Sequence, residues 1–273
     1  MQASFAWSAP SGTLGRIVEE ARLRAQALKA TAAELQRAAN EATGAPPFGL
    51  ALRDRTVAVI AEVKRKSPSK GWIQPDMDAA EQARAYAAAG AAAVSVLTEP
   101  EHFAGSTGDL LATRAAVAIP VLKKDFHVEP IQLVEAKALG ASAALLIVRA
   151  LGPAGLPRLM QAAQELALEV LVEVRDEQEL ALALECDARV IGINNRNLET
   201  LAIDAATSER LLSRVPSSVV AIAESGVSSR GDVERIARSG ADAVLVGSSV
   251  SAATDPQAAV RRLTGVPRIG RES

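Results

Sequence analysis

Eight short apolar runs, each followed by polar or glycine-containing residues and then an alanine-rich amphipathic stretch, constrain this chain more than any other feature. The runs are Val57 to Val63, Ala92 to Leu97, Ile119 to Leu122, Ala143 to Val148, Glu169 to Val174, Val190 to Ile193, Val219 to Ala223 and Ala243 to Val246. Apolar runs alternating with helical patterns are the signature of βα units. These runs are apolar nearly throughout rather than at every second residue, so both faces are expected to be covered, as in parallel strands wrapped by helices. Eight such units close a barrel. An open doubly wound sheet fits the periodicity too, but no G-x-G-x-x-G follows the first run. The expected fold class is therefore α/β, a (βα)8 TIM barrel.

Ahead of the first run, Leu14 to Ala42 carries Leu14, Ile17, Val18, Ala21, Leu28 and Leu35 near helical spacing, and Gly44, Pro46 and Pro47 end it. This predicts an N-terminal helical extension of one or two helices over 1–50, packed on a barrel at 51–273 that forms the single catalytic domain. At 273 residues, 49% hydrophobic, the chain is long enough for one large barrel or two ordinary domains, and only the repeating units decide for the former.

The remaining composition narrows the partners. A net charge of -2 supplies no bulk field for nucleic acid or an anionic membrane, so a small molecule is expected. Cys186 is the single cysteine, which excludes an internal disulfide, and His102 and His127 form no recognisable ligand spacing, so no metal is expected. The first residues are neither basic nor strongly apolar, and no apolar run reaches the roughly 18 residues of a membrane span. The expectation is a soluble cytoplasmic protein, a monomer or weak homo-oligomer.

In such barrels chemistry sits at the carboxyl ends of the strands. The first run ends in Glu62-Val63-Lys64, and residues two apart on a strand share a face, so both side chains are expected to point inward. A buried acid and base are costly unless paired or used. Arg65, Lys66 and Lys70 read as a solvated basic turn. After the third run come Lys123 and Lys124, of which at most one can enter the mouth, and periodicity does not say which. Glu173 is a carboxylate between apolar neighbours; Asn194-Asn195-Arg196 and Glu224-Ser225-Gly226 follow the sixth and seventh runs, and Gly247-Ser248-Ser249 the eighth. Glycine and serine after the last two strands offer backbone N–H groups and hydroxyls to a phosphate.

These residues carry a family resemblance. The segments IAEVKRKSPSKG at Ile60 to Gly71, PVLKKDF at Pro120 to Phe126, LVEV at Leu171 to Val174, IGINNRNLETL at Ile191 to Leu201, AESGV at Ala223 to Val227 and LVGSS at Leu245 to Ser249 resemble, in order and spacing, those of indole-3-glycerol-phosphate synthases. The resemblance spans roughly Leu14 to Leu263. It implies a carboxy-lyase of tryptophan biosynthesis, working without cofactor. Its substrate, 1-(2-carboxyphenylamino)-1-deoxyribulose 5-phosphate, closes a ring and loses CO₂ and water. It also implies roles. Lys124 is the general acid at the substrate ketone, Lys64 acts in the dehydration, and Glu62 and Glu173 serve as base or as electrostatic partners. Asn194 and Glu224 complete the catalytic set and, with Arg196 and Ser225, line the anthranilate side and the ribulose hydroxyls. Ser67, Gly226, Gly247 and Ser248 hold the phosphate, and Phe103 and Phe126 supply apolar walls, although Phe126, like Leu145, also reads as plain packing.

Two places depart from the family pattern: His127 with Glu129-Pro130 after Lys-Asp-Phe, and Arg149 after the fourth run. His127 reads as a surface loop histidine. The departures bear on substrate fit or loop dynamics, not on reaction class. The rivals are a paralogue serving an indole natural product, a barrel that only binds a sugar phosphate, a lysine-based Schiff-base aldolase, and the isomerase acting one step earlier. The last relies on a cysteine at a strand end, whereas Cys186 falls between the fifth helix and the sixth strand.

Overall fold

A computed structural model of the chain describes residues 7–271. Two helices come first, α1 (Gly12–Leu28) and α2 (Ala32–Glu41), joined by a tight 3₁₀ turn, Lys29–Thr31. Eight barrel strands follow: β1 (Ala58–Val63), β2 (Ala93–Leu97), β3 (Val121–Lys124), β4 (Ala143–Ile147), β5 (Glu169–Val174), β6 (Val190–Asn194), β7 (Val220–Glu224) and β8 (Ala243–Val246). Each is parallel to both neighbours, and the sheet closes where β1 pairs with β8, Ala58 opposite Ala243. A helix follows every strand, from Ala79–Ala88 after β1 to Pro256–Arg261 after β8. The chain is thus a closed (βα)8 barrel.

Strand interiors are buried almost without interruption, because the barrel lumen takes one face and the helices the other. Three strands run further than their apolar runs. β3 includes Lys123 and Lys124, with Leu97 paired to Lys124; β6 and β7 end in a pairing of Asn194 with Glu224. Ladder hydrogen bonds involve only the backbone, so pairing continues into residues whose side chains break the apolar signal.

The start of α1 is fixed by its apolar stripe: Leu14, Ile17, Val18, Ala21 and Ala25 are buried, while Leu28 and Leu35 are only half-buried. α2 packs on the helix Pro130–Ala138, and α1 touches that helix and the next. Glu20 Oε2 lies 2.7 Å from His102 Nε2, and Arg24 pairs with Asp125 at 3.1 Å, tying α1 to the loops after β2 and β3. At the opposite end of the barrel, Arg268 and Arg271 both pair with Asp242, at 2.8 and 2.9 Å, and close the floor. Among the described residues no helix is long and apolar enough to cross a membrane.

Candidate active site

The carboxyl ends of β1, β3, β5 and β7 bring one cluster of charge into the mouth. Lys124 Nζ stands 3.7 Å from Glu224 Oε2, 3.9 Å from Glu173 Oε2 and 4.0 Å from Glu62 Oε2. These separations exceed an ordinary hydrogen bond, so the ammonium is suspended among three carboxylates rather than committed to one. Lys64 Nζ lies 3.3 Å from Glu62 Oε1 and 5.4 Å from the centre of the Phe103 ring. Glu62 and Lys64 do share the inward face, as residues two apart on a strand must.

Glu62 is held from beneath. Its backbone carbonyl accepts bonds from Tyr86 Oη at 3.1 Å and Ser251 Oγ at 2.6 Å, and Ser95 Oγ lies 3.4 Å from its carboxylate. Two glycines make room for the acids. A Cβ on Gly247 would strike Glu62 Oε1, and one on Gly192 would strike Glu224 Oε1. Gly192 and Ser95 were not singled out in the sequence; an isolated glycine inside an apolar strand is the signal that marks such a close approach.

The electrostatics follow from this crowding. Burial lowers the pKa of Lys124, but Glu224, Glu62 and Glu173 together reverse the effect and hold it above the ordinary lysine value. Burial also raises Glu224, to about 8, reinforced by Glu173 and opposed by Lys124. A carboxyl raised in this way takes up a proton more readily than an exposed one. Glu224 Oε1 is buried with no hydrogen-bond partner among the described residues. Lys64 is lowered, chiefly by burial, with Glu62 acting the other way. Arg196 is lowered by burial as well.

Two recesses flank Lys64 and Lys124. One has apolar walls from Phe103, Phe126, Leu145, Ile147, Leu198 and Leu201, a roof from Thr13 and Ile17 of α1, and polar groups from Ser67, Glu173, Asn194, Arg196 and Ser225. Phe103 and Phe126 face each other at 6.2 Å between ring centres. The other, of about 220 Å³, is lined by Lys70, Ser225, Gly226, Ser228, Gly247, Ser248 and Ser249. Ser225 has φ 65°, a left-handed backbone that a non-glycine residue adopts only under constraint from its surroundings. Asn195 Nδ2 donates to the Ser225 carbonyl at 2.9 Å and locks this turn.

Four readings of the sequence change. Ser67, grouped there with the phosphate glycines, instead lines the aromatic recess, and its Oγ accepts from Lys70 N at 3.2 Å. Arg65 is not a solvated turn residue: its guanidinium pairs with Asp109 and reaches the Met77 carbonyl at 2.6 Å. His127 is no surface residue but 2% exposed. The alternation of β3 continues past its end, so Lys124 and Phe126 face the recess while Lys123 and His127 lie on the other side, with Asp125 bordering both. There His127 Nδ1 donates to Leu145 O at 2.8 Å, which leaves Nε2 to accept from Lys123 at 3.4 Å. Leu145, ranked as packing, is part of the recess wall.

Among the described residues one group could in principle ligate a metal: Glu20, Glu99 and His102. The Glu99 carboxylate already accepts the backbone N–H groups of Glu101, His102 and Phe103 and faces Arg24, so it is an N-cap and its lone pairs are spent.

A closed barrel whose acids and lysines converge at the carboxyl ends of its strands is a barrel of the enzyme class. The family model described as indole-3-glycerol phosphate synthase matches residues 14–263, and the chain belongs to that family. A relative from Streptomyces coelicolor, "Indole-3-glycerol phosphate synthase 2", is 46% identical over 258 residues, covering 93% of this chain and all of its own. One from a Nocardioides species is 54% identical over 209 residues, 77% of this chain and 80% of its own, and one from Mycobacterium ulcerans 46% over 256 residues, 93% and 94%. Both bear the name indole-3-glycerol phosphate synthase. Among solved structures, thiamine phosphate pyrophosphorylase from Pyrococcus furiosus superposes with a TM-score of 0.57 at 17% identity, covering 78% of this chain and 95% of that one, and shows the fold alone.

Proposed function

We propose that the chain is a cytoplasmic carboxy-lyase, alone or as a weak homo-oligomer, that converts 1-(2-carboxyphenylamino)-1-deoxyribulose 5-phosphate into indole-3-glycerol phosphate, CO₂ and water for tryptophan biosynthesis. In this reading 51–273 is the single catalytic domain and 1–50 a helical extension packed on it. The observation that carries the mechanism is the Lys124 ammonium, kept protonated among Glu62, Glu173 and Glu224 yet bonded tightly to none of them.

The substrate is long, with an aryl carboxylate at one end and a phosphate at the other, and the two recesses match those ends. The aryl ring lies against the apolar wall of Phe103, Phe126 and Leu145, with its carboxylate toward Arg196; the phosphate meets Gly226, Gly247, Ser248 and Lys70. The ketone is then placed at the junction, beside Lys124. As the ring carbon bearing the carboxylate bonds to the ketone carbon, Lys124 gives its proton to the ketone oxygen, which becomes a hydroxyl. The resulting cationic nitrogen centre draws the electrons of the breaking C–C bond, CO₂ leaves, and Glu62 and Glu173 stabilise the transient positive charge.

Dehydration follows. A proton is removed from the ring, and the hydroxyl departs as water after protonation. Lys64, whose lowered pKa lets it release a proton readily, is the acid nearest Glu62, and a carboxylate takes the ring proton. Glu224, whose carboxyl is raised by burial and by Glu173, takes up a proton more readily than an exposed carboxyl and can then donate a hydrogen bond to the substrate. Asn194, whose Oδ1 accepts Arg196 N at 2.9 Å, fixes the direction of Arg196.

The test is direct: purified protein given the substrate should generate indole fluorescence with release of one CO₂, and Lys124→Ala should not. No product from the unaltered protein would end this reading. A Schiff-base mechanism would be revealed by borohydride trapping of the substrate on Lys64 or Lys124.

A further inference from the structure

Glu199 lies beyond the catalytic cluster and joins three separate stretches of chain. Its Oε1 accepts from Ser11 N at 2.7 Å, Ser11 Oγ at 3.1 Å and Arg149 NH2 at 2.9 Å, and its backbone carbonyl accepts from Thr13 N at 3.3 Å. Arg149 in turn donates to Ser8 O at 2.7 Å, and the Trp7 indole N–H donates to Arg149 O at 3.1 Å. Gly12, at φ 57°, brings the start of α1 so close that a Cβ there would lie 2.6 Å from Glu199 O. The segment from Trp7 to Thr13 is thereby strapped over the first turn of the helix Val148–Glu165, which follows β4 directly, and over the loop after β6.

The loop after β6 matters because it carries Arg196, Leu198 and Leu201 into the aromatic recess, and the strap leads into Thr13 and Ile17, the roof of the same recess. Within the loop, Arg196 NH1 donates to Leu201 O at 2.8 Å and Leu201 is held at φ 65°. Such a backbone keeps its shape only while its surroundings enforce it, and the Glu199–Arg149 pair is the tie that connects it to the strap and to β4.

We infer that Glu199 and Arg149 are positioning residues which lock the β6 loop and the head of α1 together over the aryl end of the substrate, so that Arg196 meets the carboxylate in a fixed direction. This rests on the assignment of the aromatic recess to the aryl ring. The pair touches no reacting atom, so its loss acts on substrate capture. Glu199→Ala and Arg149→Ala should each raise KM about tenfold and change kcat less than about twofold. Because both remove the same tie, the double variant should also raise KM about tenfold rather than the hundredfold of two independent defects. Glu199→Gln, which keeps the Ser11 bonds but loses the charge opposite Arg149, should fall between. A KM within twofold of the unaltered protein in both single variants, or a hundredfold rise in the double, overturns the inference. So does a lowered melting temperature with KM unmoved, the mark of a purely structural link. Absence of turnover in the unaltered protein would instead condemn the substrate assignment, and the two failures are thus told apart.

Discussion

Lys123 and Lys124 are neighbours on β3, both lie deep in the protein, and they are held in opposite ways. Lys123, 1% exposed, is enclosed: Glu135 at 3.1 Å, Asp125 at 3.5 Å and His127 at 3.4 Å surround it. Asp125 is itself bonded by Thr98 Oγ1 at 2.6 Å and Arg24 at 3.1 Å. Burial works against the charge of Asp125, yet Lys123, His127 and Thr98 hold its carboxyl well below the usual range. Lys124 has three carboxylates around it against two for Lys123, all at 3.7 Å or more, and an open recess on its remaining side. A closed network of partners serves folding, because each charge is satisfied before any ligand arrives. An open one keeps a donor available to react.

The comparison breaks most sharply if the two lysines are removed in turn. Lys124→Ala should lower kcat by about 10³-fold or more, the scale of a lost general acid. Lys123→Met should leave kcat within about threefold and cost about 3 kcal/mol of stability, since Asp125 would keep only Arg24 as its cation and the half-buried Glu135 would lose its own. Urea unfolding and steady-state assays on both variants decide it, and an inactive but stable Lys123→Met would invert the assignment.

The inner cluster depends on space as well as charge. Gly247→Ala and Gly192→Ala should each reduce kcat/KM by roughly 10²-fold, because the new methyl displaces Glu62 or Glu224 from its place against Lys124. Normal kinetics in either variant would mean that these carboxylates are not held where catalysis needs them.

A smaller effect sharpens the role of Glu224. Its raised pKa, about 8, predicts that kcat/KM declines as pH climbs through that value and the carboxyl ionises. Glu224→Gln, neutral at all pH, should retain a flat profile to about pH 9 and exceed the unaltered protein there in relative terms. A decline of the same midpoint in that variant would move the titration to another group.

The smallest effect concerns the closed cluster. His127 is pushed down to about 3 by burial and by Lys123, so the folded protein binds its proton less readily than the unfolded chain does. The sign follows: stability is full above the unfolded value of 6.5 and falls as pH drops toward 3. Relative to the unaltered protein, His127→Gln should lose about 1–2 kcal/mol at pH 7, through the bond to Leu145 O. It should also lose less on acidification from pH 6.5 to 4, measured by chemical denaturation at each pH.

Much of this was legible in the chain. The eight strands show as apolar runs because burial on both faces demands apolar residues, and Glu62 with Lys64 could be placed on one inward face because strand side chains alternate with fixed period. The family segments then identified Lys124, Glu173, Asn194, Arg196 and Glu224, all of which reach the mouth. What parity could not supply was phase: without knowing which face of β3 looks inward, Lys123 and Lys124 were equivalent, and His127 looked like a loop residue. Nor could local pattern reveal Glu199 and Arg149, whose partners at Ser11 and Ser8 are far away in sequence.

By itself, then, the sequence determined the barrel, its phosphate-type glycines and serines, and the set of acids and lysines available for chemistry, since each follows from periodicity or from short motifs. Only the tertiary structure decided how Lys123 is enclosed, that Gly192 and Gly247 are gaps for carboxylates, that Ser67 sits with the aromatic wall, and that the N-terminal strap ends on Glu199. The physical reason is that hydrogen bonding, desolvation and charge coupling depend on distances across the barrel, between residues whose separation along the chain carries no record of their approach.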